Sequence, residues 1–408
     1  MAVNLTEPTA ESLLPVAGIR LASVSAGIKK PGRQDVVLME LAEGSNTAAV
    51  YTRNAFCAAP VILARENQKQ TASRYLLVNS GNANAGTGEA GMQAARQCCQ
   101  AVADLTGVEA AAVLPFSTGV IGQPLPVEKM TAVLPEAVEK LAEDNWLAAA
   151  KAIMTTDTVA KARSVQLTLG GKTVTITGMA KGSGMIRPDM ATMLAYIATD
   201  AAVSHMVLTA MLPLAMEQSF NRISVDGDTS TNDACVLVAT GRAANKPIDS
   251  LSSEDGERLL TALTDVCRDL AQAVVRDGEG ATKFVSINVR QGKNQAECRM
   301  VAYTIAHSPL VKTALFASDP NWGRILAAVG RSGIVGLDVN TVSINIGDVR
   351  IVDRGQPAQG YSEEKGQAVM SEEEIDITVW LGRGEAEETV WTCDFSYDYV
   401  KINAEYRT

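Results

Sequence analysis

Between residues 164 and 177 the chain alternates as a two-stranded ribbon does. Val165, Leu167 and Leu169 precede Gly170-Gly171, and Val174 and Ile176 follow it. A period of two places these residues on one face of each strand. A Gly-Gly pair between two such runs supplies the positive-φ freedom that a two-residue hairpin turn demands. The chain must therefore build a sheet around this unit, and the Lys181-Gly182-Ser183-Gly184 segment leaves directly from its second strand. The same Gly170-Gly171-Lys172-Thr173 run resembles the end of a phosphate-binding loop, but that motif needs a Gly at position 166, which is Gln. No nucleotide is expected there.

Other segments add helices and strands in no simple alternation. Tyr75-Leu76-Leu77-Val78 reads as a short strand emptying into an Asn79–Gly88 loop. Met92, Ala95, Cys99, Val102 and Leu105 then recur at helical spacing over 89–106. A longer helix is expected over 252–276: Ser252 and Asp255 form a capping-box pattern, Leu259, Leu263, Val266, Leu270 and Val274 make the apolar stripe, and Gly278 stops it. Ser308-Pro309 looks like an N-cap followed by Pro at the first helical position. Ile375, Ile377, Val379 and Leu381 alternate as a strand, followed by a Gly382-Arg383-Gly384 turn and a strand over 390–395. There is no internal repeat and no low-complexity linker. With 408 residues, 47% of them hydrophobic, the chain suffices for two domains or one large layered body. These patterns predict an α+β fold in which mixed sheets stack and helices lie outside.

Charge and cysteine usage exclude several function classes. A formal net charge of −10, with no Lys/Arg cluster, gives no footprint for a phosphate backbone, so nucleic acid is not an expected partner. No run of 18 apolar residues occurs, and the start has neither a basic nor an apolar leader region, so a soluble cytoplasmic protein is expected. Seven cysteines are scattered without a CxxC pair, and only two His are present, which argues for buried reduced thiols and against a zinc site. His205, in an apolar helical run, and His307, before the Ser308 cap, read as core or capping residues. The chemistry of this chain is therefore not expected to depend on imidazole.

On local chemistry alone the polar loops have plain readings. Ser117-Thr118-Gly119 reads as a turn, although a hydroxyl beside a Gly N–H can aim two donors at one point. Lys181 reads as a solvated loop charge and Thr155 as a helix-end cap. Glu279 lies just beyond the 252–276 helix, where the helix dipole disfavours an anion, so a structural purpose is less obvious. Asp226, Asp228, Thr231, Asn232 and Asp233 lack the Gly and terminal Glu of a calcium loop and read as a capped turn.

Seven segments in order nevertheless share one pattern: 79–85 (Asn-Ser-Gly-Asn-Ala-Asn-Ala), 117–122 (Ser-Thr-Gly-Val-Ile-Gly), 154–158 (Met-Thr-Thr-Asp-Thr), 181–194, 225–233 (Val-Asp-Gly-Asp-Thr-Ser-Thr-Asn-Asp), 318–324 (Ser-Asp-Pro-Asn-Trp-Gly-Arg) and 402–408 (Ile-Asn-Ala-Glu-Tyr-Arg-Thr). Across essentially its whole length the chain resembles the glutamate N-acetyltransferase (ornithine acetyltransferase) family of arginine biosynthesis. It departs from that pattern at Gly86, where Cys is expected, and at Asp189, where Asn is common.

The resemblance implies an αββα-like sandwich that cuts itself between Ala191 and Thr192. The products are an α chain of residues 1–191 and a β chain of residues 192–408, paired as an α2β2 heterotetramer. Thr192 is then both nucleophile and base, because its own α-amine, with an ordinary pKa of about 7.7–8, adjoins its hydroxyl. The resemblance further implies that Thr118 and Gly119 form the oxyanion hole, and that Thr155, Lys181, Thr192, Glu279, Asn403 and Thr408 bind the amino-acid substrates. The implied reaction moves acetyl from N2-acetylornithine to glutamate through an acetyl-Thr192 intermediate. No cofactor is implied. Many relatives also take acetyl-CoA as donor, and the sequence leaves that open. The alternative is a related N-terminal-nucleophile aminopeptidase or amidohydrolase, which would pass the acyl group to water.

Overall fold

In the computed structural model, residues 2–187 and 193–405 are described. The hairpin lies where the alternation puts it. Lys161–Leu169 pairs antiparallel with Lys172–Lys181, and the register closes at Leu169 opposite Lys172. Gly170 (φ 53°) and Gly171 (φ 76°) both occupy the left-handed region that a tight hairpin turn requires.

This hairpin forms one edge of a five-stranded mixed sheet. Its remaining strands are Leu194–Thr199, Ala234–Ala239 and Asn46–Tyr51, in the order 46–51, 234–239, 194–199, 172–181, 161–169. Along the sequence, positions 191 and 192 fall between strands Lys172–Lys181 and Leu194–Thr199, which are neighbours in this sheet. A second sheet, of four strands, runs Ile19–Val24, Val36–Leu41, Tyr75–Asn82 and Val113–Val120.

The two sheets stack. Met39, Leu76, Val78, Leu114 and Phe116 of the four-stranded sheet share one buried core with Met179, Tyr196, Ala198 and Val236 of the five-stranded sheet. The outer face of the five-stranded sheet is covered by helices His205–Glu217 and Glu254–Arg276, through Ile176, Ile197, Leu237, Leu212, Val266 and Leu270. The outer face of the other is covered by helices Gly88–Thr106 and Val127–Glu139. Helix, sheet, sheet and helix make the four layers expected of an αββα sandwich.

A third, seven-stranded sheet has its own core. Strands Phe284–Gly292, Glu374–Trp380, Ser343–Ile346 and Ala386–Cys393 pack Ile287, Ile344, Ile377 and Val390 against Val301 and Ile305 of helix Gln295–Ala306. The short strand Ile223–Ser224, which pairs with Trp391 and Thr392, ties this sheet to the sandwich.

Several local readings shift. The 75–78 strand continues through Asn82, because Asn79 to Asn82 pair in parallel with Ser117 to Val120. Tertiary pairing here overrides the low strand preference of Asn, Ser and Gly. The long helix starts one residue later than the capping box implies. Ser253, in extended conformation, is the N-cap and accepts Gly256 N–H at 3.1 Å, while Ser252 is held in the preceding turn by Ser250. The last strand ends at Cys393. Ser308-Pro309 does cap and begin a helix, Pro309–Phe316. His205 is an exposed first helical residue rather than a core one, and Cys57 is half-buried where the other six cysteines are buried. Among the described residues no helix is long and apolar enough to cross a membrane, and no cluster of His, Cys, Asp or Glu could hold a metal.

Candidate functional site

The ends of the Val113–Val120 and Lys172–Lys181 strands, from the two stacked sheets, open on one cavity of about 270 Å³. Thr118, Gly119, Thr155, Lys181, Asp233, Glu279 and Asn403 are in its wall. All six described residues that the sequence singled out for catalysis or substrate binding thus meet in one place. Ala191, Thr192 and Thr408 lie outside the described residues.

Lys181 is the last residue of its strand and is buried, not a solvated loop charge. Its Nζ donates to Thr118 Oγ1 (3.2 Å) and Thr155 Oγ1 (3.0 Å) and stands 4.0 Å from Asp157 Oδ2. Burial holds this ammonium below its ordinary pKa, with the Asp157 carboxylate opposing. Thr118, read locally as a turn residue, is instead in a strand, and Thr155 ends no helix. Both hydroxyls face the lysine.

Asp157 organises this corner, and local reading did not single it out. Its Oδ1 accepts Lys161 Nζ (2.7 Å) and Gly182 N–H (2.7 Å), and its Oδ2 accepts Thr155 N–H (3.0 Å). Burial alone would raise this carboxyl, but Lys161 and Lys181 outweigh it and hold it well below the usual carboxylate range. Lys161 is in turn bonded to Asp277 Oδ2 at 2.6 Å.

Gly119 has φ 136°, and a Cβ there would sit 2.2 Å from the Gly81 carbonyl carbon. Only glycine allows these two strands to approach so closely. The same cavity wall also carries Glu279. Its N–H donates to Ser183 carbonyl (2.9 Å), and its Oε2 accepts Asn403 Nδ2 at 2.8 Å. Asn403 belongs to the terminal helix Tyr397–Ala404, which is docked rather than frayed. Tyr399 stacks on Phe395 at 4.5 Å, and Ser396 Oγ donates to Gly280 carbonyl.

The 225–233 segment does act as a capped turn. Asp226 accepts Met185 N–H (2.6 Å) and Ile186 N–H (2.9 Å), which fixes the chain up to the 188–192 segment. Beyond that segment Met193 is fixed by Ala234, whose N–H donates to its carbonyl at 2.9 Å.

A hydroxyl pair bridged by a buried cation, in one cavity with a carboxylate held by an amide, is suited to a ligand with both charges. The ArgJ family model matches residues 20–408. The chain belongs to the ArgJ family. Proteins named arginine biosynthesis bifunctional protein ArgJ are 59% identical over 397 residues in Pseudomonas syringae pv. tomato and in Pseudomonas fluorescens, covering 97% of this chain and 98% of each relative. That of Methylococcus capsulatus is 56% identical over 396 residues, 97% of each chain. In this ArgJ-family chain the segments 117–122, 154–158, 181–187 and 225–233 all reach the one cavity.

Proposed function

We propose that this chain transfers acetyl from N2-acetylornithine to L-glutamate, giving ornithine and N-acetylglutamate. The observation that carries the reading is the presence of both Lys181 and Glu279 in the wall of one cavity. Lys181 suits an amino-acid carboxylate and Glu279 an amine, and neither is neutralised by direct pairing with the other.

Thr192 is the nucleophile in this reading, set free by cleavage of the Ala191–Thr192 bond. Its hydroxyl oxygen bonds to the acetyl carbon, and Thr118 with the Gly119 N–H takes the developing oxyanion. The C–N bond then breaks and ornithine leaves. Glutamate repeats the sequence in reverse on acetyl-Thr192. Asn403 and Thr408 complete the substrate site from the tail. Residues 1–191 and 192–408 remain together as α and β fragments of an α2β2 heterotetramer in the cytoplasm, and acetyl-CoA serves as a second acetyl donor without any bound cofactor.

Incubating purified protein with N2-acetylornithine, with and without glutamate, tests the reading. Ornithine release that depends on glutamate supports transfer. Acetate released equally well without glutamate would identify a hydrolase, and no release a binding protein. Intact-mass measurement should find the 1–191 and 192–408 fragments, and Thr192→Ala should abolish both cleavage and turnover.

A further inference from the structure

The cavity contains an ionisable group that none of these steps uses. Asp233 stands where the 225–233 segment enters the Ala234–Ala239 strand, and its backbone is fixed on every side. Its carbonyl accepts Thr52 N–H (2.9 Å), and the preceding Asn232 donates to the Ala83 and Ser117 carbonyls (2.6 and 2.9 Å). Ala234 is in parallel register with Leu194, so Asp233 lies level with Met193, the residue after Thr192 in the chain. The residue is only 4% exposed and lines the cavity, yet its Oδ2 has no hydrogen-bond partner among the described residues. A buried carboxyl oxygen on so rigid a frame calls for a partner, and the described residues do not supply one.

Burial lifts the Asp233 pKa well above the usual carboxylate range, with Ser230 and Lys181 opposing, which favours the protonated form that a general acid needs. The other acids at this site are differently engaged. Asp157 is ionised between two lysines, and Glu279 holds Asn403.

We propose that Asp233 is a catalytic residue, the general acid that protonates the amine leaving the acetyl carbon. The inference rests on Thr192 being the nucleophile. In the acylation step the Thr192 α-amine takes the hydroxyl proton as Oγ1 bonds to the acetyl carbon. Asp233 gives its proton to the ornithine nitrogen as the C–N bond breaks, and the resulting carboxylate recovers a proton from the Thr192 ammonium. The net result is one proton moved from hydroxyl to amine. An alkylamine cannot leave a tetrahedral intermediate without that proton, whereas a nitrophenolate can. This difference separates an acid from a scaffold.

The test compares single-turnover acylation by N2-acetylornithine and by p-nitrophenyl acetate, each normalised to the nitrophenolate burst that counts active sites. Asp233→Asn should slow ornithine release about 10²–10⁴-fold and leave the burst rate nearly unchanged, and Asp233→Glu should restore part of the ornithine release. Equal losses with both donors would overturn the proposal, since a scaffold residue affects both. Unchanged ornithine release would overturn it as well. So would a wild-type burst that is absent from both variants, which would assign Asp233 to folding or cleavage. A wild-type protein with no burst would instead strike the reading of Thr192.

Discussion

Two lysines lie side by side at one end of the same hairpin and share a carboxylate, yet they have opposite characters. Lys161 opens the first strand and Lys181 closes the second, with Lys161 in register with Ala180. Lys161 has a fully buried side chain and is paired with two equally buried carboxylates, Asp157 at 2.7 Å and Asp277 at 2.6 Å. Lys181 reaches Asp157 only at 4.0 Å, takes hydroxyls as its close partners and borders the cavity. The first is a closed ionic knot. The second keeps an unspent charge that a substrate carboxylate can use. Enclosure and partner chemistry, rather than residue type, separate a structural lysine from a binding one.

The largest effect should come from breaking the knot. Lys161→Met leaves Asp157 and Asp277 buried without their shared cation, and breaking such a pair from one side costs about 3–5 kcal/mol. Chemical denaturation should show that loss, or the variant should not accumulate in folded form. A variant of wild-type stability would mean that Lys161 is no more structural than Lys181.

The next largest effect is on the reaction. Thr118→Ala removes a hydroxyl that meets Lys181 and leaves the Lys161 knot intact, so the protein should fold and slow acetyl transfer by about 10²–10³ in kcat, the usual loss for one oxyanion donor. Turnover at the wild-type rate would reduce Thr118 to a support for Lys181.

How much of this contrast could be read from the sequence depends on distance along the chain. The hairpin was legible because alternation and the Gly170-Gly171 turn are local, and the long helix because its apolar stripe is. The burial of Lys181 was not, since its hydroxyl partners lie 63 and 26 residues away and nothing around position 181 signals them. The family pattern marked Lys181 for substrate binding but carried no information on its enclosure. Asp157 and Asp233 both sit inside recognised motifs, at 154–158 and 225–233. Their roles depend on how many partners each carboxyl finds, and that is a property of the packed structure. The separate core under the seven-stranded sheet was likewise hidden, because parallel pairs such as 284–290 with 374–380 join segments far apart.

A third change tests the binding lysine directly. Lys181→Met leaves Asp157 paired with Lys161, so stability should shift by less than about 1.5 kcal/mol, while KM for both amino acids rises about 10- to 100-fold for loss of a charge-assisted contact. The lowered pKa of Lys181 adds a sign. As pH rises through that value the ammonium loses its charge, so KM should climb on the alkaline side below the ordinary lysine pKa. Lys181→Arg stays charged throughout and should flatten that climb. Steady-state kinetics across pH decides it, and a flat wild-type profile would remove the charge of Lys181 from substrate binding.

The smallest effect concerns the anion in the same cavity, Glu279, whose position depends on an absent side chain. A Cβ on Gly184 would fall 2.4 Å from the Glu279 carboxyl carbon and from its Oε2. Gly184 is not among the positive-φ residues, so alanine suits the backbone and the strain falls on the flexible end of Glu279. Gly184→Ala should therefore leave stability nearly unchanged and swing the carboxylate away from Asn403, raising KM about fivefold for roughly 1 kcal/mol of lost hydrogen bonding. A double-mutant cycle makes this specific. If Gly184→Ala acts by displacing Glu279, adding Asn403→Ala should cost little more, because the Asn403–Glu279 bond is already lost. Fully additive losses would show that Glu279 keeps its place, and that its half of the charge pair, unlike Lys181, does not depend on close packing.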